Sequence, residues 1–147
     1  MRNMIARSRI TRAVGTALTA HGTATFVADP LRQRAGRMAD RGFAPGVPHA
    51  VLVPLLEVAS GTLLPRTGLV GAAAAGAATA LGAVRVGADV EDRTVTTATA
   101  AAAGLTVAGL SAAVRATRGR LRVGLLAVIG TVVVFELVRR RRVLRAR

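Results

Sequence analysis

The stretch "PLLEVASGTLL", residues 54–64, holds one carboxylate, Glu57, inside an apolar run that ends at Pro65-Arg66. In an exposed helix in water that charge costs little. In a bilayer it is expensive, and such residues face a bundle interior or a cavity. The rest of the chain decides which solvent applies. Charges cluster at Arg2–Arg12, Arg32–Arg41, Asp89–Arg93, Arg115–Arg122 and Arg139–Arg147, with long segments almost free of charge between them. Clustered charge separated by uncharged segments is the pattern of a chain that crosses a membrane several times.

Five such segments follow. The first, "TRAVGTALTAHGTATFVADP" (11–30), carries Thr16, Thr19, Thr23 and Thr25. Their hydroxyls can bond to carbonyls of their own helix, so lipid does not forbid them. Asp29-Pro30 predicts its end, because the residue before proline is pushed out of the helical region. Residues 31–47 form a polar connection. Its first half reads as a short amphipathic helix with Leu31, Ala35 and Met38 on one side, and Gly42, Pro45, Gly46 and Pro48 turn the chain. The second segment, about Pro48 to Leu64, is close to the lower limit of about 17 residues for a span. Pro65–Gly68 is then a tight turn into the third, "GLVGAAAAGAATALGAVRV" (68–86), so the two segments predict a helical hairpin.

The third segment is dominated by Ala and Gly. Gly71, Ala75 and Thr79 share one face, and Ala72, Gly76 and Ala80 another. Small residues four apart let helix backbones approach closely. After the acidic loop "GADVEDRT" (87–94), the fourth segment (94–114) offers Ala100, Gly104 and Ala108 as a similar face. The fifth, "VGLLAVIGTVVVFELV" (123–138), is the most hydrophobic and runs into "RRRRVLRAR". If all five cross, the N-terminus, Arg66 and Arg115–Arg122 share one side. Arg32–Arg41, Arg85, Arg93 and the tail share the other. The two sides carry similar numbers of arginines, so the positive-inside rule does not fix the orientation.

Composition excludes several classes. The formal net charge is +14, and all 21 basic residues are Arg. Nucleic acid is not the expected partner. There is no Trp or Tyr and only three Phe, which leaves no base-stacking platform. Arginines beside membrane segments instead fix topology and meet anionic headgroups. With no cysteine, disulfides, thiolate metal sites and cysteine nucleophiles are excluded. No removable signal peptide is expected, since no compact apolar core with a small-residue cleavage site follows the first arginines. No nucleotide loop, catalytic triad or metal-ligand cluster is visible, so no catalytic residue, no metal and no independent activity are expected.

Glu57 is the leading candidate residue. His21, near the middle of the first segment, is its expected partner in a buried polar pair, with a threonine hydroxyl or Arg85 as the alternative. Arg85 counts as an additional intramembrane charge. Two roles stay open for the pair: a proton-linked or quinone-facing group, or a structural hydrogen bond that locks two helices. His49, beside Pro48, is expected at the interface. Glu136 is expected to pair with Arg139 or Arg140 within one helical turn. Arg139, Arg140, Arg141 and Arg142 are expected to contact anionic lipid headgroups, each worth about 1 kcal/mol near such a surface.

The order "AHGTATF", "RGFAPGVPHA" and "LLEVASGTLLPRTGLVGAAAA" resembles the DoxX-like family of small integral membrane proteins. The matching positions are His21-Gly22, Gly42 through Pro48, Glu57 with Gly61, and Gly68-Leu69. The resemblance covers roughly residues 10–115. It implies a four-helix membrane bundle. It also implies a place beside oxidoreductase systems, some with thiosulfate–quinone chemistry, and a quinone is the cofactor it would allow. The chain departs from the family pattern in lacking a basic residue near Thr25 and Phe26, and in adding a fifth segment.

The expected fold is all-α: an integral membrane four-helix bundle over 1–115, plus an additional C-terminal transmembrane helix with a polybasic tail over 116–147. The expected function is an accessory subunit of a membrane redox or other complex in a bacterial cell membrane. Its partners would be anionic lipids and either other membrane subunits or further copies of itself. The alternative is a small transporter or channel-like protein with a polar path at Glu57. The chain should fractionate with membranes and resist alkaline carbonate extraction. Recovery in the soluble fraction without detergent would end the membrane reading.

Overall fold

The computed structural model describes residues 2–66 and 68–146, with side chains at Arg9 and from Arg12 onward. Six helices follow in order: α1 Arg2–Ala28, α2 Leu31–Asp40, α3 Gly46–Leu63, α4 Gly68–Glu91, α5 Thr97–Ala116 and α6 Gly119–Arg145. No strand occurs among the described residues. The boundaries follow local chemistry. α1 stops before Asp29-Pro30. The chain beyond α2 turns at Gly42, whose φ of 86° is the left-handed conformation glycine adopts without strain. α5 opens with a capping box, in which Thr96 and Thr99 satisfy each other's backbone donors. The α3–α4 break falls at residues 64–67, of which Thr67 lies outside the described residues.

Four helices, α3 to α6, are long and apolar enough to cross a membrane, which defines a multi-pass membrane protein. Of the five expected spans, α3 to α6 supply four, and the fifth expected segment lies in α1. α1 is long, but its arginines, His21 and five threonines hold it below the apolarity of α3 to α6. α6 is also longer than the apolar segment predicts. The helix runs without a break through Arg139–Arg142, where Glu91 and Asp92 meet Arg140 and Arg141.

Close packing occurs at glycine. A Cβ on Gly15 of α1 would lie 2.5 Å from the Gly61 oxygen of α3, and one on Gly22 would lie 2.7 Å from the Pro54 oxygen. α4 and α5 meet the same way, since a Cβ on Gly109 would lie 3.0 Å from the Ala75 oxygen and 2.6 Å from Thr79 Oγ1. Thr79 Oγ1 donates to its own Ala75 carbonyl at 2.7 Å, and Thr106 Oγ1 to Ala102 at 2.8 Å, so these hydroxyls are satisfied inside the contact. On α4, both small faces are used: Gly71, Ala72, Ala75, Gly76 and Thr79 are buried. On α5 the expected face is not the packed one. Ala100 and Gly104 are exposed, while Thr99, Ala102, Gly109 and Ala113 are buried. Spacing by four identified a small face but could not choose between faces on a helix small almost all round.

These contacts fix direction. α1 runs antiparallel to α3 and α4 antiparallel to α5. α4 runs parallel to α6, with Gly76 near Leu125 and Gly87 near Leu137. One end is closed by Leu64, Ala75 and Ala113, with Val14, Ala112 and Leu125 packed around them. The other end is held by Arg140. Its Nη1 donates to Glu91 Oε2 at 2.6 Å, its Nη2 to Asp92, and its Nε to the Arg41 carbonyl at 2.8 Å. Its guanidinium stands 5.8 Å from the Phe43 ring centre. The side chain is fully buried. One residue of α6 thus joins the α2–α3 loop to the α4–α5 loop.

Replacing Gly61 with valine places carbon against the Gly15 carbonyl and Thr19, so α1 must shift. Thermal unfolding in detergent should show a loss of about 1–3 kcal/mol. An unchanged transition would mean that α1 and α3 do not pack through this contact.

Candidate functional site

The helix pairs leave a cavity of about 1140 Å³ between them, lined by residues from all six helices. Its walls are mostly aliphatic. Ala73, Ala77, Ala80, Leu81 and Val84 come from α4, and Leu125, Val128, Ile129 and Val132 from α6. α3 contributes His49, Val53 and Glu57, which are four residues apart and so fall on one helical face.

Glu57 is buried, and its Oε2 lies 2.8 Å from His21 Nδ1. The imidazole donates to the carboxylate there. Gly22 lets α1 approach closely enough for this contact, since a Cβ at that position would meet Val58 and Glu57 itself. His21 is itself about half exposed, at 56% of its side chain. Pro54 lies one turn before Glu57 and removes a backbone donor from the helix at that point.

A second imidazole–carboxylate contact lies on the same cavity wall and was not legible in the sequence. His49 Nε2 lies 3.4 Å from Glu136 Oε2, and His49 Nδ1 lies 3.1 Å from the Pro45 carbonyl. Both ring nitrogens face oxygen, and only the doubly protonated ring can donate at both. Glu136 also has Arg139 at 3.8 Å, as its i,i+3 spacing suggests. The 87 positions between His49 and Glu136 leave no local signal for their pairing.

The arginines divide. Arg139 donates to the Ala44 carbonyl, Arg141 pairs with Glu91 at 2.6 Å, and Arg140 is the buried clamp described above. Arg140 therefore reaches into the protein, not outward to lipid headgroups. The sequence shows only a run of like charge, and the acidic partners come from a loop 48 residues earlier. Arg142 is exposed. Arg85 lines the cavity and has no ion-pair partner among the described residues. Arg34, which the sequence did not single out, is buried beside the cavity. Its Nη1 donates to the Thr25 carbonyl at 3.0 Å, capping the end of α1, and its Nε has no partner. Among the described residues no three His, Asp or Glu side chains converge as a metal site requires.

An all-helical bundle with four helices able to span, built around an aliphatic cavity with a carboxylate–imidazole contact on its wall, is the class these features define. Compared with known protein families, curated proteins and solved structures, the chain finds no match.

Glu57→Gln keeps an oxygen acceptor for His21 and should leave thermal stability in detergent nearly unchanged. Glu57→Leu removes the acceptor and should cost about 1–3 kcal/mol. Equal stability of the two variants would mean that the His21 contact does not lock α1 to α3.

Proposed function

We propose that this is a multi-pass protein of a bacterial cell membrane whose half-open cavity between the helices holds an apolar or amphipathic molecule drawn from the bilayer. Its role would be that of an accessory component of a membrane complex. The observation that carries this reading is the cavity itself. At about 1140 Å³ it exceeds the usual upper size of small-molecule pockets, about 1,000 Å³. A space with aliphatic walls and a few placed polar groups suits a long apolar molecule with one polar end. His21 and Glu57 provide that polar contact, since an imidazole hydrogen-bonded to a carboxylate can accept or release a proton as the ligand binds. The DoxX-like resemblance adds a quinone as the ligand to try first, and a membrane redox complex as the setting. Lacking a cofactor motif and any cysteine, the chain fits a holding role better than an independent catalytic one.

The experiment is binding of a short-tailed benzoquinone to the purified full chain in mild detergent, read by calorimetry. Saturable binding near one per chain is expected. It should fall when Ala77, on the cavity wall, is replaced by tryptophan. Binding that the tryptophan leaves unchanged, or that never saturates, would overturn the cavity reading. Partner subunits retained through purification would support the accessory role. A lone homo-oligomer that moves solute across vesicles would favour transport along the cavity.

A further inference from the structure

Charge around the cavity is unevenly paired: three of the four lining carboxylates meet an arginine or an imidazole, whereas three of the four lining arginines meet no carboxylate among the described residues. Four carboxylates line the space: Glu57, Asp89, Asp92 and Glu136. Each is engaged by the protein. Glu57 meets His21, Asp92 meets Arg140, Glu136 meets His49 and Arg139, and Asp89 accepts from Thr99 Oγ1 at 2.7 Å. Four arginines line it as well: Arg34, Arg37, Arg41 and Arg85. Only Arg37 has a carboxylate partner, Asp29. Among the described residues, Arg34, Arg41 and Arg85 have none.

Arg34 is the telling member of the three. It is 7% exposed, and its Nε is buried without a hydrogen-bond partner. Its other contacts are the neutral Thr25 carbonyl and the Phe26 ring, 5.1 Å from the guanidinium. A carbonyl and a ring face favour a cation, but neither neutralises it. Burying a charge without a counter-charge is costly, and proteins ordinarily supply one. Arg41, the exposed residue that follows the last turn of α2, lies seven positions beyond Arg34, roughly 10 Å further along the helix direction. Arg37 and Met38, between them, also line the cavity, so this face of α2 forms its cationic end. The aliphatic walls of α4 and α6 extend away from it.

We infer that the cavity takes an anionic amphiphile, a phospholipid of the surrounding bilayer. Its phosphate supplies the missing counter-charge at Arg34 and Arg41, and its acyl chains lie along α4 and α6. Arg85 on α4, also in the cavity lining, provides a further cationic contact. This rests on the cavity reading proposed above and narrows it. A neutral quinone would fill the apolar part but leave the arginines uncompensated. Guanidinium and phosphate meet in the paired geometry that makes such contacts strong.

The test uses the delipidated full chain in mild detergent. The probes are dioleoyl phosphatidylglycerol, dioleoyl phosphatidylcholine, oleate and inorganic phosphate, with binding read by calorimetry and thermal shift. Phosphatidylglycerol should bind near one per chain and at least about tenfold more tightly than phosphatidylcholine. A charge-assisted contact of about 1.5–3 kcal/mol corresponds to at least that ratio. Oleate binding as tightly as phosphatidylglycerol would reassign the ligand to a fatty acid and overturn the phospholipid. Inorganic phosphate binding as tightly would show that the apolar walls contribute nothing, which also overturns it. Arg41→Gln and Arg85→Gln should each weaken phosphatidylglycerol about tenfold while leaving the benzoquinone unaffected. Neither residue holds the fold, so both remain informative if Arg34→Gln fails to fold. Equal affinity for the two phospholipids, or variants that bind as well as the parent chain, would overturn the inference. Phosphatidylglycerol binding that survives Ala77→Trp would place the lipid on the outer arginines and overturn it too. Benzoquinone binding that persists in either case would leave the cavity reading standing.

Discussion

Backbones that approach at Gly15–Gly61 and at Ala75–Gly109 set the conditions for the rest of this structure. Within a bilayer, association between helices depends on close van der Waals contact, because lipid tails are as apolar as leucine. Glycine and alanine allow that contact by removing side-chain bulk. The same feature has a second consequence. A helix such as α4, small on nearly every face, packs tightly against α5 but offers little volume on the side toward α3. Ala73, Ala77 and Ala80 therefore line space they cannot fill. The cavity is the counterpart of the close packing, produced by the same residues seen from the other side.

Tight pairs alone would not hold α6. This helix buries only Ile129 and Arg140, although it holds the most apolar stretch of the four candidate spans. Its attachment combines two kinds of contact at different levels. Leu125, Ile129 and Leu137 lie against glycines of α4. Arg140 then joins two loops at one end through three charged or polar acceptors. Breaking a buried ion pair is strongly destabilising, because the group left behind has no solvent to turn to. Here Glu91 and Asp92 keep partial exposure, so they would recover some hydration, while the Arg41 carbonyl would lose its donor. The apolar face of α6 left uncovered suits acyl chains, as a helix at the edge of a membrane bundle requires.

α3 connects these features to the site. His49, Val53 and Glu57 project from one face into the cavity, each imidazole or carboxylate answered by a partner on another helix. The two histidines of the chain thereby tie α3 to α1 at one level and to α6 at another. Along the same cavity, Arg34 of α2 is buried without a carboxylate partner among the described residues, while Arg37 meets Asp29.

The sequence by itself determined that the chain is helical and belongs in a membrane, because uncharged segments bounded by arginine clusters allow little else. It also marked Glu57 as a carboxylate in an expensive place, and Pro65–Gly68 as a break. It also marked the Ala/Thr-rich segment of α1 as helical, though with less apolar surface than α3 to α6. What only the tertiary structure decided are the relations between distant positions. Ala102 and Gly109 lie at the α5 contact where Ala100 and Gly104 do not, since a helix small on all sides carries no local preference. His49 meets Glu136, and Arg140 meets Glu91 and Asp92, through separations that no helical period spans. Arg34 reads as one of several surface arginines until the fold turns it inward at the end of α1. Helix formation depends on neighbours in sequence, and burial depends on which helix arrives next to which face.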